Sequence, residues 1–484
     1  MNSPANSSSD SRGCSCPFRL RLTQGFLALC LVLASPACTT VKVSTKPQRV
    51  TNEGIRSAHK LGRIGVETPS PHDDHHYAGF SKETVALLKR AKKLDTRGDH
   101  VDAAESFLKV AIDARELLVS LVEPTGSPAQ KALLTVHNAS LARFGEFWSI
   151  DPRRHRAGPR YLFPFKDHSY QIYLADDSDY ARNYFDRAVA TRSMKSWGVV
   201  RKNREGYGAT LVAIRNQLPE RAEELKFHPR RGLHVPVTLV IGDPRHGSGD
   251  DAPIIVPLSI KNPMLHETVT AAGHTVPLAA DFSAPLEMLL DGKSEILEGL
   301  TGFFKADQRA AAAGIYLIEP YDPDRIPVIL VHGLVSVPMI WRDIIPEMFS
   351  EPDISRRYQL MAFTYPSSYS IAESALLFRE SLAAVRARYD PEGHDPLSTD
   401  MVVIGHSMGG VLSHILTADF GDILWDQMSD VPLEETKFSA EAKTRIRSLV
   451  YFDPDPAVTR AIFIAAPHRG AEMANTNLPN LLSN

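Results

Sequence analysis

The chain has 484 residues, long enough for two or three domains, and its composition is that of an ordinary globular protein. Its 54 basic and 57 acidic residues give a formal net charge of −3, so charge gives no support for nucleic acid as a partner. All four cysteines lie within residues 1–38, which leaves the rest of the chain without a disulfide or a thiol nucleophile.

Residues 1–38 have the pattern of a signal peptide. Arginines at positions 12, 19 and 21 precede an apolar run at 25–34, which is too short to span a bilayer comfortably and is typical of an export signal. The segment Ser35-Pro36-Ala37-Cys38 resembles a bacterial lipoprotein processing site, although Ser35 stands where Leu is usual. We expect export to the bacterial cell envelope and membrane anchoring through a lipid on Cys38; an uncleaved N-terminal anchor is the alternative.

Residues 39–80 are mixed polar sequence with several prolines and little apolar periodicity, which predicts a linker. A histidine-rich cluster at 72–76 lies within it. No second ligand group stands at a recognised spacing, so we interpret the cluster as solvated polar sequence and expect no metal and no cofactor.

Residues 81–230 are predicted to be mainly helical. Two apolar-periodic stretches are separated by Arg97-Gly98-Asp99, and a third runs over about 129–148. Paired helices with small residues at their crossing resemble a tetratricopeptide-type hairpin. A helical packing domain is the alternative, and we favour it because at most one and a half such units are visible.

Residues 231–305 form a β-rich accessory segment by their pattern. Val, Ile and Thr dominate the runs at 235–241, 254–258 and 268–270, with turn residues between them. Their close spacing predicts an antiparallel unit, and a helix is expected to follow over about 284–304.

Residues 306–484 alternate strands and helices. Such an alternation predicts an α/β fold with a doubly wound, mostly parallel sheet. The predicted strands are 314–319, 327–331, 358–364 and 401–404, and the predicted helices are 341–349 and 371–388.

The segment 401–416 carries the clearest chemical signal. An apolar run leads into Gly405-His406-Ser407-Met408-Gly409, a G-x-S-x-G pattern, and a helical apolar periodicity follows. A serine on a sharp strand-to-helix turn has its hydroxyl free, and glycines let the strand and the helix cross without Cβ clashes. The pattern therefore predicts a nucleophile elbow at Ser407.

Four segments together resemble the α/β-hydrolase superfamily. They are Val328-Ile-Leu-Val-His-Gly-Leu334, Phe363-Thr-Tyr-Pro366, Val403-Ile-Gly-His-Ser-Met-Gly-Gly410 and Ile462-Phe-Ile-Ala-Ala-Pro-His-Arg-Gly470. Within that superfamily they are similar to bacterial triacylglycerol lipases and to deacylases like those that act on GPI anchors. The resemblance covers residues 314–470 and implies a serine hydrolase that cleaves small-molecule or lipid esters through an acyl-serine intermediate.

The resemblance also implies roles for individual residues. Ser407 is the nucleophile, and the backbone N–H groups of Leu334 and Met408 form the oxyanion hole. Gly333 allows the backbone to approach the substrate closely. Two further residues of the elbow are Gly405 and Gly409, where glycine is needed sterically. We expect His332 to order the oxyanion loop and His406 to shape the site by packing.

The triad acid and histidine are the missing part of this pattern. In the family they follow the serine in the order Ser, acid, His. After Ser407 the only histidines are His414, within the predicted helix, and His468, within a turn. Residues 421–458 indicate an insertion or lid. Candidate acids are Asp453, Asp455 and Glu472, which no spacing distinguishes.

Two hypotheses account for this deficit. One is a C-terminally truncated serine esterase, favoured by the end of the sequence within a domain. The other is a non-catalytic envelope lipoprotein whose hydrolase-like fold and helices bind partners.

Overall fold

The computed structural model describes residues 41–470, apart from 68–73, 121–125, 152–159, 166–167, 198–199, 248, 250–251, 272, 292–312, 335–337 and 367. The predicted signal peptide, Cys38 and Glu472 lie outside the described residues, as do the side chains of residues 65–76. Among the described helices, none combines the length and the apolar character needed to cross a membrane.

Helical structure begins earlier than the sequence indicates. The predicted linker contains a strand and a long helix, so the expectation of a tether at 39–80 is wrong. The helix buries Val50, Gly54, Ala58 and Leu61, which recur at helical spacing. Polar and charged residues fill the opposite face, so the helix is strongly amphipathic, and its helical periodicity is present in the sequence.

The first four helices form an antiparallel bundle in which each helix packs on two others. They are α1 (Pro47–Glu67), α2 (Asp74–Arg97), α3 (His100–Ser120) and α4 (Pro128–Ile150). Helix α4 also lies on a β-sheet, where a side chain at Gly145 would meet Leu211 and Leu239 at 3.0 Å. This arrangement favours the packing interpretation over a peptide-binding array.

The region 160–215 is β-structure, which corrects the prediction of a mainly helical segment up to residue 230. Its aromatic and β-branched residues suit a pleated, half-buried surface. A seven-stranded sheet has the order β2-β3-β10-β8-β7-β4, with β9 paired to β10. Its strands are β2 (Arg160–Phe165), β3 (His168–Leu174), β4 (Arg187–Ala190), β7 (Ala209–Arg215), β8 (Leu233–Ile241), β9 (Arg245–His246) and β10 (Ile254–Lys261).

The β-rich segment predicted from residue 231 is present, but it continues this sheet. Strand β8 pairs antiparallel with β7, whereas β10 pairs parallel with β3. Small pairs complete the region: β1 (Lys42–Thr45) with β5 (Met194–Trp197), β6 (Asn203–Arg204) with β13 (Ala280–Asp281), and β11 (Thr268–Ala271) with β12 (His274–Pro277). Two short helices are α5 (Ala222–Leu225) and α6 (Ala284–Leu290). The rest of the helix predicted over 284–304 falls outside the described residues.

The C-terminal region is a five-stranded sheet of order β14-β16-β15-β17-β18, parallel except for β14. The strands are β14 (Gly314–Leu317), β15 (Ile326–Val331), β16 (Tyr358–Thr364), β17 (Met401–His406) and β18 (Val458–Ile464). The helices are α7 (Ile344–Ser350), α8 (Pro352–Ser355), α9 (Ile371–Tyr389), α10 (Pro396–Thr399), α11 (Met408–Ile415), α12 (Ile423–Asp426) and α13 (Ala440–Val450). The strand and helix predictions for this region are confirmed.

Helices cover both faces of this sheet. Alternate residues of β15 point to opposite sides: Ile329 and Val331 join a core with α9 and α11, whereas Val328 and Leu330 join one with α6 and α7. The chain is therefore a mixed α/β protein with several mixed sheets.

The predicted insertion at 421–458 consists mainly of short helices and connects α11 to β18. Trp425, Leu433 and Val450 form a small core of their own. This insertion packs on α9 through Arg379, which donates to the carbonyl of Ser448 at 2.8 Å and lies over the ring of Phe452.

Candidate active site

Ser407 occupies a sharp turn between the end of β17 and the start of α11. Its φ of 54° and ψ of −124° are unusual for a residue with a Cβ and impose strain. The Ser407 N–H donates to the carbonyl of Ile464 in β18 at 2.9 Å, and its own carbonyl accepts from the N–H of Gly410 at 2.9 Å. These bonds hold the strained turn in place.

The glycines around Ser407 are sterically required. A Cβ on Gly405 would lie 2.5 Å from the Cα of Gly410 and 2.5 Å from the hydroxyl of Ser413. A Cβ on Gly409 would lie 2.8 Å from the carbonyl carbon of Val331. The strand and the helix therefore cross at a distance that admits no side chain at either position.

The order of the strands places Ser407 at a topological switch point. From β15 the chain goes to β16 on one side, and it then returns to β17 on the other side. In open α/β sheets, ligands bind in the crevice at the carboxyl ends of such strands. The loop 332–334 follows β15, and Ser407 follows β17, so both border this crevice.

The structure brings the predicted oxyanion loop against the predicted nucleophile. A Cβ on Gly333 would lie 3.0 Å from the Cβ of Ser407 and 3.1 Å from Nδ1 of His406. Leu334 is 37% exposed beside it. Met408 is the first residue of α11, and the N–H groups of a first helical turn have no acceptor within the helix. The N–H groups of Leu334 and Met408 thus belong to two segments that meet at Ser407.

His332 is buried and orders the loop. Its Nδ1 lies 2.9 Å from the carbonyl of Gly333, and its Nε2 lies 3.4 Å from the N–H of Tyr365. Because a backbone N–H only donates, Nε2 accepts and Nδ1 carries the hydrogen, which defines the neutral tautomer. The ring stacks on Tyr365 at 4.4 Å, and the Tyr365 hydroxyl donates to the carbonyl of His332 at 2.8 Å.

His406 is half-buried against Gly333. Burial lowers its pKa, so the imidazole is neutral at physiological pH. Within the described part of the chain, its buried Nδ1 has no hydrogen-bond partner. His406 therefore presents a polar atom at the contact between the loop and the elbow.

His468 lies beside α11 and contacts His414. The centroids of the His468 and His414 rings are 5.1 Å apart, and His468 also contacts Phe463 at 4.7 Å. His414 follows Ser407 by seven residues, which is about 10 Å along a helix. The structure thus pairs the two late histidines with each other.

The candidate acids are not gathered at Ser407. Both guanidinium Nη atoms of Arg386 donate to the carboxylate of Asp455, at 2.8 and 2.9 Å, and Asp453 is exposed to solvent. Among the residues that the structure describes, no side chain forms a hydrogen bond with the Ser407 hydroxyl. The structure therefore brings the predicted nucleophile and the two predicted donor segments together, and among the described residues it places no acid or base beside them.

Sequence reasoning missed two supports of the site. Ala465 has a φ of 50°, unusual for alanine, directly after the residue that accepts from the Ser407 N–H. Tyr365 stands within a recognised motif, but its role in fixing His332 depends on a contact across 33 residues of sequence. No local signal marks either feature.

No protein-family model, no curated protein and no solved structure matches the chain. The resemblance to α/β hydrolases accordingly rests on the four motifs and on the geometry around Ser407.

Proposed function

We propose that the chain is a serine hydrolase of α/β-hydrolase type that cleaves carboxylic esters through an acyl-serine intermediate. The observation that supports this best is the contact between Gly333 and Ser407 at the carboxyl ends of β15 and β17. A chance G-x-S-x-G sequence is not expected to place its serine at a strained strand-to-helix turn against a second loop at the carboxyl edge of the sheet.

In this proposal, the Ser407 hydroxyl attacks the carbonyl carbon of the ester and gives its proton to a base. The base passes the proton to the alcohol as it leaves the tetrahedral intermediate, and water then hydrolyses the acyl-serine to release the acid. The N–H groups of Met408 and Leu334 stabilise the oxyanion; losing one such donor typically costs about 3 kcal/mol of transition-state stabilisation. The serine also needs a base to take its proton. The proposal requires that base to come from outside the described residues.

Apolar side chains near the crevice support an ester with an acyl chain as substrate. Leu334 is 37% exposed in the loop after β15, and Ile371 is 45% exposed at the start of α9, which follows β16. Both segments begin at the carboxyl edge of the sheet. A lipid or a small apolar ester bound at this edge would remove these side chains from water.

The second candidate is a non-catalytic envelope lipoprotein that uses the fold and the helical bundle to bind partners. The observation that favours it is the lack of an acid and a base at Ser407 among the described residues. In both proposals the protein is exported and anchored in the envelope by a lipid on Cys38.

Labelling with a fluorophosphonate and turnover of chromogenic esters of increasing acyl length test the enzymatic proposal. Ser407→Ala should abolish both signals. Ser350→Ala is a matched control, because the Ser350 hydroxyl donates only to the carbonyl of Glu347 in its own helix. Labelling that persists in Ser407→Ala would refute the nucleophile assignment, and wild-type protein that neither labels nor turns over would favour the non-catalytic candidate.

Lipid anchoring has a separate test. At about 1 M salt, where binding through surface charge is screened, Cys38→Ser should move the protein from the membrane fraction to the soluble fraction, because the residue that carries the proposed acyl chain is lost. Unchanged fractionation would refute the anchor.

A further inference from the structure

The outer surface of α1, α2 and the strand before them is strongly basic. Among the residues of 41–97 whose side chains the structure describes, which leaves out 65–76, Glu83 is the only exposed acid. The other two acids of that set, Glu53 and Asp95, pair with Arg192 and Arg143 from elsewhere in the fold. The exposed cations, which we call the basic face, are Lys42, Lys46, Arg56, Lys60, Arg63, Lys82, Lys89, Arg90, Lys93 and Arg97.

These cations form two parallel rows. Helices α1 and α2 run antiparallel, as shown by the bonds from Gln48 to Thr96 and from the Ser81 hydroxyl to the carbonyl of Ala58. On α1 the cations recur at intervals of three or four residues. On α2 they stand at 82, 89, 90, 93 and 97, so most of them are one or two helical turns apart. The α2 row extends over fifteen residues, or about 23 Å.

Within the described part of the chain, none of the cations of the basic face forms an ion pair with a carboxylate. Surface charges on a solvated face are usually of mixed sign. The neighbouring helix α3 has that mixture, with Lys109 paired to Asp113 within the helix. The charge is thus concentrated on the side of the bundle that faces away from the seven-stranded sheet.

A cleft of about 520 Å³ lies at the N-terminal end of α1, at the border of this face. Lys46, Arg49 and Arg56 line it together with neutral residues, and no carboxylate belongs to its lining. Lysine and arginine side chains converging on an open cleft suit a phosphate group.

We propose that the basic face docks on an anionic phospholipid surface, with the headgroup phosphates as its ligands. Charge complementarity supports this partner, and so does position. Lys42 follows Cys38 by four residues, at most about 14 Å of extended chain, so a lipid on Cys38 would hold this face near the bilayer. The argument from position rests on the proposed lipid anchor, whereas the argument from charge does not.

The test uses the full chain with Cys38→Ser, so that no acyl chain contributes to binding. It should sediment with vesicles of phosphatidylcholine and phosphatidylglycerol, and not with phosphatidylcholine alone. Binding should vanish at about 1 M salt, where charges are screened within about 3 Å. Combining Arg56→Ala, Lys60→Ala, Lys89→Ala and Lys93→Ala should weaken vesicle binding by more than about 100-fold.

These four positions are exposed on helices, where alanine is well tolerated. A matched control removes four exposed cations from the C-terminal region, with the changes Arg357→Ala, Arg388→Ala, Lys437→Ala and Arg445→Ala. The control should change binding by less than about threefold, since it removes the same number of charges but none from the basic face.

Three outcomes would overturn the proposal: no binding to anionic vesicles, equal weakening in the control, or binding to duplex DNA without binding to vesicles. Because Cys38 is absent and Ser407 is unchanged, none of these results depends on lipidation or on catalysis. The proposal and the proposed function therefore fail separately.

Discussion

Replacing Ser407 by glycine should stabilise the protein while removing its proposed nucleophile. A non-glycine residue at a φ of 54° and a ψ of −124° carries strain of about 1–3 kcal/mol. Glycine adopts this conformation freely but loses about 0.5–1 kcal/mol more backbone entropy on folding than a residue with a Cβ. The difference predicts a gain of about 1 kcal/mol in the free energy of unfolding.

Ser407→Ala is the matched comparison, because it removes the hydroxyl and keeps the strained backbone. Ser448→Gly is the second control. Ser448 lies in helix α13, where glycine should destabilise by about 0.5 kcal/mol. Urea unfolding followed by tryptophan fluorescence measures all three variants, with Trp341 and Trp425 reporting on the C-terminal region. If Ser407→Gly is no more stable than Ser407→Ala, the turn is not strained and this reasoning is wrong.

Three further predictions follow from the same structure. Gly333→Ala should slow ester turnover or fluorophosphonate labelling by about 100-fold, because its Cβ would push the oxyanion loop away from the nucleophile, while the urea midpoint changes little. Burial lowers the pKa of His137 to about 4, so between about pH 6.5 and 4 the unfolded chain binds more protons than the folded protein does. The free energy of unfolding should therefore fall as the pH drops through this range. The fall should be smaller in His137→Gln, which lacks the titrating imidazole. Arg386→Ala should lower the free energy of unfolding by about 1–3 kcal/mol, because it removes the bidentate pair with Asp455. Arg460→Ala removes an exposed pair and should lower it by less than about 1 kcal/mol. Urea unfolding measures both variants.

The strands of the C-terminal sheet could be predicted because each is marked by an apolar run within a short stretch of sequence. Val328 to Val331 are continuously apolar and buried on both faces of the sheet, which is the pattern of an internal parallel strand. The resemblance to α/β hydrolases implies that the loop with Gly333 and the turn with Ser407 serve one site, and the structure brings the two residues into contact at one edge of the sheet.

The rest of the fold depends on contacts that no local pattern contains. Helix α1 is the exception, because its apolar and charged residues follow a strong helical periodicity that the prediction of a linker does not use. Strand β10 pairs parallel with β3 across more than 80 residues of sequence, as at Ile254 and Tyr170. In the site, the positive φ of Ala465 is set by tertiary context against the usual preference of alanine.

The predicted domain boundary at residue 306 does not coincide with a gap in packing. Phe227, which precedes the boundary, belongs to the core of the C-terminal sheet and contacts the ring of Tyr389 at 5.5 Å. Its carbonyl accepts from the N–H of Leu317 at 2.8 Å. Strand β14 thus depends on residues from the preceding region for a backbone hydrogen bond and for part of its core. Because β14 is the edge strand of the sheet that carries Ser407, the region before residue 306 contributes packing and a backbone hydrogen bond to that sheet, and experiments on the proposed nucleophile should use the full chain.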